Sequence, residues 1–91
     1  MAVQAHRVEV AAGGAWSAGG LTLLQSVTFT AFGGTATITT ADGTSTLHDG
    51  ESVTWSVAKP DDAALVGPLE VAVAAGGTGT VAVAYTRAVN V

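Results

Sequence analysis

The chain contains no cysteine. A disulfide scaffold, a thiolate metal site and a cysteine nucleophile are therefore excluded, and synthesis in a reducing cytoplasm is compatible with the composition. Charge is also scarce: 11% of the 91 residues are Asp, Glu, Lys or Arg, against roughly 25% in an ordinary soluble domain. The basic residues number three, Arg7, Lys59 and Arg87, and they lie far apart in sequence. No basic patch can form from them, so neither nucleic acid nor an anionic membrane is an expected partner. The formal net charge is −4. Aromatic residues make up 5% of a chain that is 48% hydrophobic. The apolar content is thus mostly Ala and Val, which bury less area per residue than Leu or Phe. A domain of this length buries only about 60–65% of its unfolded surface, so a chain with so thin a core is expected to complete it by association. No apolar run approaches the ~20 residues of a membrane helix. The first residues hold His6, Arg7 and Glu9 where a signal peptide would need an apolar run, so no secretory signal is expected.

What is present is alternation. From Val53 through Val57, Leu69 through Val73 and Val81 through Tyr85, every second residue is apolar and its neighbours are mostly small or hydroxylated. That period of two marks strands with one buried face. Residues 3–11 read as a first strand or arm. Gly13–Gly20 reads as a flexible loop carrying Trp16. A strand follows from Leu21 to Ala31, with Leu21, Leu23, Val27 and Phe29 on its apolar face. Gln25 falls among them, which predicts a bulge near Leu24–Gln25. Asp42-Gly43 predicts a two-residue type I′ turn, pairing Ala41 with Thr44 and Ile38 with Leu47. A tight turn at Asp49-Gly50 would mismatch the faces of its strands, so a wider corner or a crossing to another sheet is expected there. Lys59–Asp62 reads as a loop, 61–66 as a short helical turn and Gly76–Gly79 as a hairpin turn. Thr80 to Arg87 forms the last full strand, and the tail Ala88–Val91 is apolar enough to dock. One all-β domain results: a small antiparallel β-sandwich or jelly-roll-like barrel of seven to eight short strands, with an N-terminal arm (1–20) and a short C-terminal tail (88–91).

Few residues carry chemistry. His48, Asp49 and Glu51 cluster at one corner, with Asp42 one strand length away, but the oxygen-rich loop of a calcium site and the His or Cys set of a zinc site are missing; ordinary turn hydrogen bonding is the expected role. No G-x-S-x-G or comparable frame supports a Ser/His/Asp nucleophile. The Gly76–Thr80 stretch lacks the Lys and following helix of a phosphate loop. Neither enzyme activity nor a cofactor or metal is expected. Trp55 belongs to the core. Trp16 is either a lid on the end of the sandwich or an exposed anchor, and an aromatic sugar platform is a further reading of it. His6 reads as part of a solvated polar face.

The stretch Gly34-Thr35-Ala36-Thr37-Ile38-Thr39-Thr40-Ala41-Asp42-Gly43-Thr44, the stretch Leu47-His48-Asp49-Gly50-Glu51-Ser52-Val53-Thr54-Trp55-Ser56-Val57 and the later Gly67-Pro68-Leu69 together resemble small β-sandwich virion proteins of tailed bacteriophages, in particular capsid decoration (cement, or minor capsid) proteins and head-fibre modules. The likeness covers residues 20–87 and is one of pattern and turn order. It implies a structural protein made in the host cytoplasm and carried in many copies on the capsid surface. There it would act as a homo-oligomer, often a trimer, that bridges neighbouring major capsid subunits. The contacts expected under that reading are Val3, His6, Arg7, Trp16, Arg87, Val89 and Val91, with both termini able to add strands to a neighbour's sheet edge. Three other readings stand beside it: a phage tail or fibre module, a carbohydrate- or receptor-binding β-sandwich, and an enzyme with a cupin-like barrel, which would call for a bound metal and against which the sparse His and acidic residues speak.

Overall fold

Among the described residues eight strands form: β1 (Ala2–Val10), β2 (Ala15–Ser17), β3 (Leu24–Phe32), β4 (Ala36–Thr40), β5 (Gly43–Leu47), β6 (Ser52–Ser56), β7 (Leu69–Ala72) and β8 (Thr80–Val89). They come from a computed structural model, which describes residues 2–19, 23–57, 65, 68–74 and 77–89. The proposed helical turn at 61–66, the Lys59–Asp62 loop and Val91 lie outside the described residues, Leu65 excepted.

The strands form two four-stranded antiparallel sheets, ordered β1-β8-β3-β6 and β2-β7-β4-β5. One connection, β4 to β5, stays within a sheet; the other six cross from one sheet to the other. This is the jelly-roll order, an all-β sandwich in which crossing connections take the place of most hairpins. The Gly-rich stretch before Thr80 is therefore not a hairpin turn: β7 and β8 belong to different sheets. There Gly79 is buried against Gly34, and a Cβ at Gly34 would lie 2.9 Å from the Gly79 nitrogen. Backbone meets backbone at that point, so only glycine fits. Gly79→Ala is expected to cost about 1–3 kcal/mol through overpacking, read as a lowered urea midpoint with an unchanged slope.

Alternation places the core. In the first sheet, Val27, Phe29 and Ala31 of β3 stand beside Val81 and Val83 of β8, and all are buried. In the second, Ile38, Leu47, Val71 and Trp16 face them. The bulge near Leu24–Gln25 is present as a register shift between Leu24 and Ser26 against β8. It turns Leu24 inward and leaves Leu23 exposed, with a positive φ of 56°; Leu23 is thus not on the core face.

The β4–β5 hairpin differs from the expected turn. Thr40 pairs with Gly43, so Ala41 and Asp42 form the tip. Gly43 has φ 117°, and neither Ala41 nor Asp42 adopts positive φ. A type I′ turn needs positive φ at both central residues, whereas this one places the demand on a single glycine after the tip. The pairing moves by two residues: Ile38 faces Ser45 and Ala36 faces Leu47. A two-residue shift preserves the faces, so Ile38 and Leu47 still point inward together.

The corner at His48–Glu51 is a crossing from the second sheet to the first. Its carboxylates bond backbone: Asp49 Oδ1 accepts from Gly33 N–H at 2.7 Å and Glu51 Oε1 from His48 N–H at 2.7 Å. Removing the first with Asp49→Ala is expected to cost about 1 kcal/mol, measurable by thermal melting.

Residues 2–10 are not a detached arm. They pair with β8 along their whole length, from Ala2 opposite Val89 to Val10 opposite Val81. The Gly13–Gly20 loop holds a strand that alternation could not reveal, because β2 is three residues long and exists by pairing with β7. At the other end, Ala88 is buried and its N–H bonds the Leu23 carbonyl at 2.9 Å, so the start of the tail completes β8.

Candidate functional site

Two surfaces gather the residues singled out by sequence. The first is a row of rings. Trp55 (β6) meets Phe29 (β3) edge to face at 5.7 Å. Phe29 meets Trp16 (β2) edge to face at 5.6 Å. Trp16 lies 5.5 Å from Tyr85 (β8), and Tyr85 stacks on His6 (β1) at 5.0 Å and 20°. Such geometries add attraction beyond the area they bury. Trp16 is half-buried and packed on the core. Its indole reaches from β2 to Phe29 and Tyr85 of the other sheet. His6 is exposed but not simply solvated, since its ring lies along Tyr85. Gln4 is opposite Arg87 in the β1–β8 register, one step beyond the His6–Tyr85 pair.

The second surface is the outer face of the sheet β1-β8-β3-β6. Val3 and Arg7 sit there, both exposed. The expected contact residues are thus divided: Val3 and Arg7 on one side of β1, His6 and Trp16 on the other. Val89 is opposite Ala2 in the register.

Sequence reading missed the principal feature of this outer face. Ser26, Thr28 and Thr30 of β3 alternate with core residues, as do Ser52 and Thr54 of β6, and antiparallel pairing places them opposite one another. Their hydroxyls bond in pairs: Thr28 to Thr54 at 2.8 Å and Thr30 to Ser52 at 3.0 Å, while Ser26 bonds Thr86 of β8 at 2.6 Å. Ala82 and Ala84 fill the remaining outward positions between them and β1. The alternating hydroxyls were visible in sequence; their partners, some 22 to 60 residues away, were not. No ionised side chain stands on the β8, β3 or β6 part of this face, and Phe32 lies exposed at its end.

Among the described residues, no three His, Cys, Asp or Glu side chains gather to hold a metal ion. A depression of about 230 Å³ on the second sheet is lined by Trp16 and Val71 with Ser17, Thr37, Thr39, Glu70 and two alanines. It falls below the roughly 300 Å³ at which ligand pockets begin.

No protein-family model matches the chain, and no curated protein does. Among solved structures, a de novo designed double-stranded β-helix determined by solution NMR is similar, with a TM-score of 0.56 and 14% identity, covering 92% of this chain and 99% of that one. At that identity the likeness is one of fold, and it agrees with the two-sheet strand order: the chain is a small all-β sandwich of jelly-roll type.

Proposed function

We propose that this protein is a structural virion component that docks on the outside of a phage capsid and stabilises the shell by bridging its major subunits. The observation that supports the reading best is the uncharged outer face of β8, β3 and β6. Hydroxyls exposed singly on a surface must give up water when a partner covers them, at a cost if no new bond replaces it. Here six are already bonded to one another. Covering them leaves one O–H donor per pair to satisfy instead of two, and the alanines between them allow close approach. Phe32, 48% exposed at the end of the face, supplies an aromatic side chain of a type enriched in interface cores. The mechanism is mechanical: each copy adds contact area between shell subunits and lowers the free energy of the assembled particle, while the contact stabilises a thin-cored domain by mass action.

The test is a count. Particles are sedimented from the source, and this chain is quantified against the most abundant shell protein. Hundreds of copies at a fixed ratio support decoration. A few copies move the assignment to a tail or fibre module. Absence from particles overturns the virion reading in favour of a free binding module. Within the decoration reading, Phe32→Asp is expected to weaken shell binding at least about tenfold, a loss of about 1.4 kcal/mol. Its melting temperature should change little, as is usual for exposed positions.

A further inference from the structure

From the edge of the first sheet we infer that β1 pairs with β1 of a second copy of this chain, antiparallel, about a twofold axis at Val8. The inference concerns contact between copies and does not rest on the capsid reading.

β1 is the longest edge strand of the molecule, nine residues against five for β5 and β6 and three for β2. Its register against β8 runs without a bulge, and it contains no proline. Open edges are usually blunted by bulges, prolines and charged side chains; β1 has no bulge and no proline, and its only charges are Arg7 and Glu9. Along it Val3 is 54% and Val8 38% exposed.

The two charges on β1 decide the occupant. In antiparallel pairing, directly opposite residues point to the same side of the sheet. A twofold axis normal to the sheet therefore passes through a residue paired with itself. Centred on Arg7, the strands oppose arginine to arginine; centred on Glu9, glutamate to glutamate. Centred on His6, both charges face apolar residues, Ala5 and Val3. Centred on Val8, Arg7 faces the partner's Glu9 and Glu9 faces the partner's Arg7. On the other side of the sheet Val8 then covers the partner's Val8, and His6 lies opposite the partner's Val10. This register pairs residues 6–10 and leaves the first half of β1, Val3 included, outside the contact; it gathers two opposite-charge pairs and covers exposed Val8, and its two neighbours are penalised by like charges. Within one chain Arg7 and Glu9 already sit 3.6 Å apart, both largely exposed. Such a pair is weak in water, so sharing it with a second copy sacrifices little. The contact is isologous, as a twofold dimer requires.

The experiment is sedimentation equilibrium of the isolated chain over a dilution series. The expected result is a dimer that dissociates on dilution and weakens with added salt. Arg7→Glu alone and Glu9→Arg alone should each weaken it about tenfold or more, because each turns both cross-copy pairs into like charges. Mixed together, the two variants should recover the dimer, since the acidic strand then faces the basic one. Neither variant retains the pair within its own chain, so the recovery reports contact between copies. As a readout free of substitutions, β1 amides of the unaltered chain should gain hydrogen-exchange protection with concentration. A monomer mass throughout, a mass of three chains, a dimer unaffected by both variants, or a mixture that stays monomeric would overturn the proposal.

Discussion

Phe29→Ala is expected to leave the chain largely unfolded at room temperature or close to it. Phe29 is fully buried and is the largest such side chain. It stands at the centre of the sandwich, with Trp16 on one side and Trp55 on the other, both edge to face. Truncating a buried phenylalanine costs about 3–5 kcal/mol through lost transfer free energy and the cavity left behind. A domain of ordinary size holds roughly 5–15 kcal/mol in all, and a core of valine and alanine belongs at the lower end. The neighbours cannot close the gap, because Val27, Val83 and Ala31 are β-branched or short and are fixed on strands. Phe29→Leu, which keeps most of the volume, should remain folded. Urea titration followed by circular dichroism checks both: the alanine variant should lack a native baseline, the leucine variant should show one. A native alanine variant with a wild-type midpoint would mean that the ring is not the keystone of the core.

Trp16→Ala is the second large effect, expected at about 2–3 kcal/mol, below the full cost of a buried aromatic because the indole is only half covered. The loss runs through three places at once. The edge-to-face contact with Phe29 goes, Tyr85 loses its neighbour at 5.5 Å, and β2 keeps only Ala15 and Ser17 to hold it on β7. A three-residue strand has little backbone pairing of its own, so the ring anchors the strand as much as the strand positions the ring. Near-ultraviolet circular dichroism should lose its aromatic signal, and the urea midpoint should fall. Trp16→Phe should recover about half of the loss. A variant of Trp16 with unchanged stability but weakened partner binding would return the residue to the role of exposed anchor.

Much of this architecture was legible in sequence for a definite reason. Alternation is local and each strand carries its own: Val81, Val83 and Tyr85 announce β8 without reference to any other segment. The misplaced Gln25 announced the bulge, since an inserted residue is the one local way to return an out-of-phase strand to register. At Asp49-Gly50 the mismatch of faces ruled out a tight turn and left a wider corner or a sheet crossing; the strand order decides for the crossing. Where reading failed, the missing information was nonlocal. β2 has too few residues to show a period and exists because β7 offers it an edge. The chain between β7 and β8 looks like a hairpin turn, and only the contact of Gly79 with Gly34 shows why it crosses instead. The hydroxyl rows of Ser26, Thr28 and Thr30 were present as an alternation, yet nothing in them says that the partners are Thr86, Thr54 and Ser52.

The sequence by itself determined most of the strands and most of their inward residues, the glycine-bounded corners and the scarcity of charge. Each follows from side-chain chemistry read over a few residues. The tertiary structure alone decided the strand order, the joining of Trp55, Phe29, Trp16, Tyr85 and His6 into one row of rings, and the exposure of β1 as a nine-residue edge. Those depend on which distant strands meet, a choice made by burying all inward faces at once rather than by any one segment.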